Sequence, residues 1–322
     1  MSVSRGVHII MYHYVRHLAS SRYPKIMGLD ISLFREQIRY LQSNNFHFIS
    51  TEDLLDALDN LKTLPENAVL LTFDDGYIDH YTSVFPILKN EGIPAFFSMP
   101  GKILAEHKLL DVNKIHFILA SSPVEKLLPM IFKRLDYYRG QEFAIPPNEA
   151  LFEKLAVATR FDSPEVIFIK RLLQVELEER LRAAIVEDLF INCIPLSEEA
   201  FAEELYMSYD QVKLMQREGM CFGIHGYDHY WMNRLTPLEL ERDITLALET
   251  FDGIVDKDRW VCCYPYGSCS DEVVSYIKTK GAAAGVTTVV DLARLDKHNR
   301  FKLPRFDTND FPPKSCNFKE LL

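Results

Sequence analysis

The sequence predicts an α/β fold built on a mainly parallel sheet, either open or closed into a barrel. Short apolar runs typical of strands buried on both faces alternate along the chain with stretches of helical periodicity. Polar residues suited to catalysis directly follow two of these runs, at the strand ends where parallel α/β folds carry their chemistry. With 322 residues, 48% of them hydrophobic, the chain can bury a large core in one or two domains.

The elements follow from local patterns, taken in chain order. Val7–Tyr12 is a continuous apolar run and is predicted to be a buried strand. The apolar spacing in Leu33–Leu41 predicts a helix, and Ser50 with Asp53 three residues later predicts the capped start of another. His80–Leu88 also has helical spacing. The other predicted strands are Ala68–Phe73, Ala95–Met99, Met220–Ile224, Trp260–Tyr264 and Ala283–Val290.

The middle of the chain differs from its flanks. It is charged and helix-patterned, as in Ile169–Leu181, and it has few β-branched runs. We interpret residues 102–207 as a helical insertion within a sheet domain formed by residues 1–101 and 208–322. Such an insertion could cap the site or form the surface of a homo-oligomer, and an ordinary decoration without a role is the alternative.

Composition and charge exclude several classes of function. A net charge of −10 argues against a nucleic-acid groove, which needs a basic face. No apolar run approaches the roughly 18 residues of a membrane span, and Met1–Gly6 lacks a signal-peptide layout. Six cysteines without a CxxC pair or a cysteine–histidine zinc spacing favour a reducing compartment. We therefore expect a cytoplasmic protein.

Two adjacent carboxylates follow the strand Ala68–Phe73. Successive side chains of a strand point to opposite faces, so Asp74 and Asp75 can reach one site only where the strand breaks. Gly76 allows the sharp turn that such a break needs. An isolated Asp-Asp-Gly is usually a solvated turn, but its place at the end of a buried strand favours a functional site.

A second motif offers two imidazoles at the end of another strand. One helical turn would place His225 and His229 on the same face, because they are four residues apart. HxxxH alone is a weak signal, but with the two aspartates it can supply three ligands to a divalent metal and leave one carboxylate as a base. This donor set suits zinc best, although cobalt, nickel and iron(II) would also fit. Magnesium-dependent phosphoryl transfer fits poorly, because only Gly76 stands where a phosphate loop would be needed.

Ordered motifs give the chain a resemblance to the metal-dependent polysaccharide deacetylases, carbohydrate esterase family four. The resemblance covers residues 7–100 and 218–308. The matching motifs are Met11–Val15, Leu71–Tyr77, Pro94–Phe97, Gly223–His229 and Tyr264–Gly267.

The resemblance implies a distorted (β/α) barrel of seven-stranded type and hydrolysis of an N-acetyl group on a sugar. It implies that Asp75, His225 and His229 bind the metal and that Asp74 is the general base. The metal would polarise the amide carbonyl and lower the pKa of a bound water, which Asp74 would deprotonate. The backbone N–H of Tyr266 would help to hold the oxyanion.

The resemblance also bears on positions outside the metal site. The side chains of Tyr264 and Tyr266 are predicted to line the sugar pocket, with core packing as the alternative. Cys263 stands where many members carry an arginine that orients the base, and we expect Arg305 to supply that charge. The family's late Leu-x-His, which supplies the general acid, is not found. His13, after the first strand, is our candidate for that acid or for a substrate contact, and a structural histidine is the alternative.

The expected function is N-deacetylation in the assembly of a cell-surface polysaccharide of the O-antigen or capsule type. Without an export signal, a nucleotide-linked or lipid-linked sugar is more accessible than a finished polymer. The alternatives are a deacetylase of extracellular chitin-like or peptidoglycan polymer and a catalytically silent carbohydrate-binding relative. Gly226 stands where the family usually has Ser or Thr, a further departure from its pattern.

Overall fold

The described residues of the chain form two compact units. A computed structural model describes residues 6–158 and 163–321, so the first five residues, on which part of the localisation prediction rests, lie outside it. The first unit comprises the described parts of Met1–His17, Gly28–Lys108 and Ala202–Leu322, and the second comprises those of Leu18–Met27 and Leu109–Phe201. The predicted division at residues 102 and 207 stays a prediction.

The first unit is built on one large sheet. Its order is β10-β1-β5-β6-β7-β8-β9, with β4 on β5 and β11 on β1. Every pair from β1 to β9 along this path is parallel, which confirms the predicted sheet, and only β10 runs antiparallel, against β1. The strands are β1 (Gly6–Tyr12), β2 (Val15–Arg16), β3 (Leu29–Asp30), β4 (His47–Phe48), β5 (Ala68–Phe73), β6 (Phe96–Met99), β7 (Cys221–Ile224), β8 (Trp260–Cys263), β9 (Ala282–Val286), β10 (Ala293–Arg294) and β11 (Phe306–Asp307).

A late segment curls this sheet into a distorted barrel. Leu303 pairs in parallel with Val286 at the end of β9, and Phe306 pairs in parallel with Ile10 of β1. The segment therefore joins the first and last parallel strands of the sheet. It also fixes the position of Arg305, which lies between the two pairings.

The helices lie between the strands and in the second unit. Ser50 Oγ accepts a hydrogen bond from Asp53 N at 3.0 Å and Asp53 Oδ2 accepts one from Ser50 N at 2.8 Å, which confirms the predicted cap. The α-helices are α1 (Ile31–Ser43), α2 (Thr51–Leu58), α3 (Phe85–Glu91), α4 (Gly101–Ala105), α5 (Asp111–Ser121), α6 (Val124–Tyr138), α7 (Asn148–Leu155), α8 (Pro164–Arg171), α9 (Glu179–Cys193), α10 (Glu198–Leu205), α11 (Tyr209–Arg217), α12 (Pro237–Thr250) and α13 (Asp271–Thr279).

Three predicted elements differ from the structure by more than one or two residues at their ends. The strand predicted over Ala283–Val290 ends at Val286, because the Thr287 hydroxyl accepts a hydrogen bond from Val289 N and the chain turns out of the sheet. His80–Leu88 starts as a π-helical turn before α3. Ile169–Leu181 is interrupted by extended backbone at Leu177, although its apolar spacing continues across the break.

The second unit is helical and held by aromatic and ionic contacts. The ring of Phe117 packs against Tyr23 and Phe201 with centroid distances of 5.0 and 4.7 Å. Lys114, which is buried, pairs with Glu198 at 3.0 Å and with Glu187. Across residues 6–158 and 163–321, the structure contains no helix with the length and apolar character required to cross a bilayer. The use of this unit as a cap or oligomer surface stays a prediction.

We expect His8 to make the fold less stable in acid. Its ring is buried in β1 beside Phe46 and Phe306, and burial lowers its pKa from 6.5 to about 4. The unfolded chain therefore binds the proton more tightly, so the stabilisation present above pH 6.5 is lost as the pH falls towards 4. That difference corresponds to about 3 kcal/mol. Denaturant unfolding of the wild type and of His8→Leu between pH 7 and 4 measures it, and equal pH slopes for the two proteins would contradict it.

Candidate active site

The two predicted motifs lie at the carboxyl ends of β5 and β7, the strands on either side of β6. Asp74 and Asp75 directly follow β5, and His225 directly follows β7. Asp75 and Gly76 both have positive φ, 71° and 69°, so the strand ends in a tight left-handed turn. This turn breaks the two-residue alternation and lets both carboxylates face one site.

Asp75 lies between the two imidazoles. Its Oδ1 is 3.4 Å from Nε2 of His225 and 3.4 Å from Nε2 of His229. All three side chains are buried, and Asp75 Oδ1 has no hydrogen-bond partner among the described residues. A buried carboxylate oxygen without a donor, facing two ring nitrogens, fits a divalent cation, because this donor set is that of known zinc sites. These three residues would hold it.

The histidine loop is not the helical turn that the four-residue spacing suggested. Residues 225–231 lack helical structure, and positive φ values at Gly226 and His229 bring the rings together instead. The ring centroids of His225 and His229 are 4.7 Å apart. The spacing correctly indicated proximity, but the loop achieves it through left-handed residues rather than helical periodicity.

Neighbouring groups orient the three candidate ligands. Nδ1 of His225 is 2.6 Å from the carbonyl oxygen of Cys263, so it carries the proton and leaves the Nε2 lone pair towards Asp75. Tyr77 donates its hydroxyl to Asp75 Oδ2 at 2.6 Å. Burial lowers the pKa of His229 to about 3, which keeps its imidazole neutral and able to bind a metal.

Asp74 is buried in a set of donors. Its Oδ1 accepts hydrogen bonds from Ser98 Oγ at 2.7 Å and from Arg305 Nη1 at 3.0 Å, and the Cys263 thiol lies 3.4 Å away. Its Oδ2 accepts one from Arg305 Nη2 at 2.8 Å. Burial alone would raise the pKa of Asp74, but the charges of Arg305 and His225 outweigh it and hold the pKa below its usual value. Asp74 is therefore an ionised carboxylate with its second oxygen less occupied than its first.

Two more predicted residues lie near this centre. Nε2 of His13 is 3.9 Å from Asp74 Oδ2, and its side chain is 41% exposed. Tyr266 has a positive φ of 59°, and its ring lies 4.8 Å from that of His229. The ring of Tyr266 also stacks on that of Trp231, with ring centroids 4.6 Å apart and an interplanar angle of 6°. An aromatic wall therefore stands beside His229.

Tyr264 does not join these residues. Its side chain is fully buried, and its hydroxyl donates to the Phe301 carbonyl at 2.8 Å. A Cβ on Gly285 would lie 2.6 Å from that hydroxyl, so the ring packs against bare backbone. The structure thus places Tyr264 in the core rather than at a sugar pocket.

Several residues of the site were missed by sequence reasoning. Tyr77 adjoins the Asp-Asp-Gly motif and could have been found from that position alone. Ser98, Trp231 and Asp243 carry no local signal, because the fold brings them in from other elements. Asp243 Oδ1 accepts a hydrogen bond from the backbone N–H of Asp228, inside the histidine loop.

Comparisons with known proteins identify the family. A family model described as polysaccharide deacetylase matches residues 61–135 and 197–285. YxkH of Bacillus subtilis (strain 168), whose name is that of a polysaccharide deacetylase, is 34% identical over 289 residues, which are 90% of this chain and 67% of YxkH. The poly-beta-1,6-N-acetyl-D-glucosamine N-deacetylase of Escherichia coli (strain K12) is 38% identical over 96 residues, 30% of this chain but only 14% of the enzyme's length.

Solved structures of deacetylases have the same fold as this chain. The de-N-acetylase from Aggregatibacter actinomycetemcomitans superposes with a TM-score of 0.57 at 17% identity, covering 98% of this chain and 100% of that one. The Streptococcus pyogenes deacetylase PplD gives 0.55 at 16% identity, covering 98% and 96%. The predicted distorted barrel is confirmed, and the chain belongs to the polysaccharide deacetylase family.

Proposed function

We propose that this protein is a divalent-metal-dependent hydrolase that removes the N-acetyl group from an N-acetylated sugar during cell-surface polysaccharide biosynthesis. The observation that carries the proposal is the unpartnered Asp75 Oδ1, 3.4 Å from Nε2 of His225 and of His229. An ionised Asp74 stands next in the chain, where a base is needed. The zinc preference of this donor set belongs to the proposal as well.

The residues can be assigned to a balanced hydrolysis. When bound, a divalent cation supplies a Lewis acid that polarises the acetamide carbonyl and acidifies a water. Asp74 takes a proton from the water at Oδ2, because Oδ1 is occupied by the hydrogen bonds from Ser98 and Arg305. The water oxygen bonds to the carbonyl carbon and the C–N bond breaks, which releases acetate and an amino sugar. The backbone N–H of Tyr266 is assigned to the oxyanion.

His13 is the candidate donor of the proton to the leaving nitrogen. Its exposed ring stands 3.9 Å from Asp74 Oδ2, on the side of the carboxylate opposite the crowded oxygen. We expect His13→Ala to lower kcat by about 10²-fold. A reduction below about threefold in acetate release at saturating substrate would remove His13 from proton transfer. His13→Gln keeps a polar side chain of similar length but has no acid–base group, so it should be as impaired as the alanine variant.

The substrate class is proposed from the family and from one relative's name. The Escherichia coli relative is named for poly-beta-1,6-N-acetyl-D-glucosamine, so N-acetylglucosamine oligomers are the first substrates to try. Nucleotide-linked and lipid-linked N-acetyl sugars are the second, in keeping with the proposed cytoplasmic location. Chitin-like and peptidoglycan fragments represent the extracellular alternative.

Metal-dependent acetate release tests the proposal. Protein stripped with a chelator should release no acetate from any of these sugars, and Zn²⁺ or Co²⁺ should restore the activity. Asp75→Asn should abolish both metal binding and acetate release, because it removes the charged oxygen that faces the two imidazoles. If the wild type binds the metal but releases no acetate from any member of the panel, a catalytically silent sugar-binding protein is the better description.

A further inference from the structure

The histidine loop is fixed on one side by α4. Gly101 N donates to the Gly226 carbonyl and Lys102 N donates to the Tyr227 carbonyl, both at 3.0 Å. These bonds satisfy two carbonyl groups of the loop. They leave open what holds the N–H group of Asp228.

Asp243 of α12 holds this N–H group of the loop. Its side chain is 3% exposed, and its Oδ1 accepts a hydrogen bond from Asp228 N at 3.0 Å. A carboxylate is costly to bury unless it is hydrogen-bonded, so its place in the middle of a helix requires a partner. The backbone of the histidine loop supplies that partner.

Gly226 is shaped to this carboxylate. A Cβ on Gly226 would lie 2.8 Å from Asp243 Oδ2. The φ of Gly226 is 69°, a backbone conformation that residues with a side chain rarely adopt. The absence of a side chain at position 226 and the presence of a carboxylate at position 243 are therefore two parts of one contact. A larger residue at either position would push the loop away.

We infer that Asp243 is a positioning residue for the metal-binding loop and that Gly226 is its obligatory steric partner. Asp243 does not face the cation; it fixes the backbone at Asp228, one residue before His229, and so sets where that imidazole points. The inference rests on the proposed function for its metal. It assigns to the chain's own helix α12 a part in cation affinity that neither sequence motif contains.

Zinc affinity of the full chain provides the first test. We expect Asp243→Ala to weaken Zn²⁺ binding by about 10- to 100-fold, the range typical of groups that orient metal ligands. Competition with a chromogenic chelator gives the dissociation constant without any turnover. Arg242→Ala is the matched control, because Arg242 pairs with the same loop at Asp228 but is 60% exposed. It should change the constant by less than about threefold, as surface ion pairs contribute little.

A double-mutant cycle tests the steric half of the inference. Gly226→Ser alone should weaken Zn²⁺ binding, since its Cβ meets Asp243 Oδ2. In the Asp243→Ala background the collision is gone, and the serine hydroxyl can accept the Asp228 N–H two residues on. The same substitution should then cost at least about tenfold less. An equal cost in both backgrounds would overturn the pairing of these two residues.

Amide hydrogen exchange of metal-free protein separates this inference from the proposed function. Asp243→Ala should speed exchange at Asp228 relative to the amides of β7, whereas the buried control Ile244→Ala should lower the unfolding temperature without this local effect. If Asp243→Ala exchanges faster at Asp228 but the wild type binds no zinc, the result counts against the proposed function alone. Unchanged exchange together with unchanged zinc affinity in Asp243→Ala would overturn the inference.

Discussion

Replacing Asp74 with asparagine is expected to lower kcat for deacetylation by about 10³-fold, within the range for loss of a general base. Asparagine keeps an oxygen for the hydrogen bonds of Ser98 and Arg305, but its amide cannot take a proton from water. Since Asp74 is not among the three residues proposed to hold the cation, Zn²⁺ affinity should change by less than about threefold. Steady-state acetate release and chelator competition on the same preparation measure the two quantities.

The two aspartates are expected to have different roles, which the two asparagine variants can distinguish. Asp75→Asn should lose the cation and with it all activity, whereas Asp74→Asn should keep the cation and lose turnover. If Asp74→Asn weakened zinc as much as Asp75→Asn, then Asp74 would be a ligand, and the neighbouring cluster of Asp74, His225 and Cys263 would need to be considered instead. Retention of more than about a tenth of wild-type kcat would exclude Asp74 as the base.

The sequence was sufficient for the main strands and for the four central side chains. The run of apolar residues in β5 and the polar residues after it are local signals, so the position of Asp74 and Asp75 at a strand end could be read directly. The alternation of strand and helix patterns then implied parallel order, which brings the ends of β5 and β7 to the same edge. That order places Asp75 and His225 at one edge, and the left-handed turn at Asp75 and Gly76 then directs the carboxylate towards the imidazole.

The surroundings of Asp74 were much harder to predict. Ser98 and Asp74 are 24 residues apart in sequence, and Arg305 and Asp74 are 231 apart. Neither contact has a local pattern, because each depends on which strands become neighbours and on the register between them. Arg305 could be suggested only because it follows a strand-like run and a charge was expected beside the base. For Tyr264 the local signal was misleading: its motif suggested a place in the sugar pocket, but the side chain is buried in the core.

Replacing Arg305 is expected to have a large effect on stability as well as on turnover. Arg305 and Asp74 are 1% exposed, and the guanidinium meets both carboxylate oxygens at 3.0 and 2.8 Å. Arg305→Ala would leave a buried carboxylate without its partner, which typically costs about 3–5 kcal/mol. We expect a correspondingly lower free energy of unfolding and a kcat reduced by at least about 10²-fold, because the base loses its orientation.

Cys263 offers an internal control for this interpretation. Its sulfur lies 3.4 Å from Asp74 Oδ1, so an arginine at position 263 could approach the same carboxylate from β8. In the wild type that arginine would collide with Arg305, and Cys263→Arg should be destabilising. In Arg305→Ala it would enter the vacated space and restore the ion pair. The double variant should therefore be more stable than either single variant, with a coupling of about 1–3 kcal/mol.

The same cycle decides what Arg305 does for catalysis. If the guanidinium acts only by holding Asp74 ionised and correctly turned, the strand that supplies it is immaterial, and the double variant should recover kcat along with stability. Arg305→Lys should remain impaired, because an ammonium cannot reproduce the two parallel hydrogen bonds of the fork. Recovery of the free energy of unfolding without recovery of kcat would mean that Arg305 has a direct contact with substrate, and the orienting role assigned to it would be wrong.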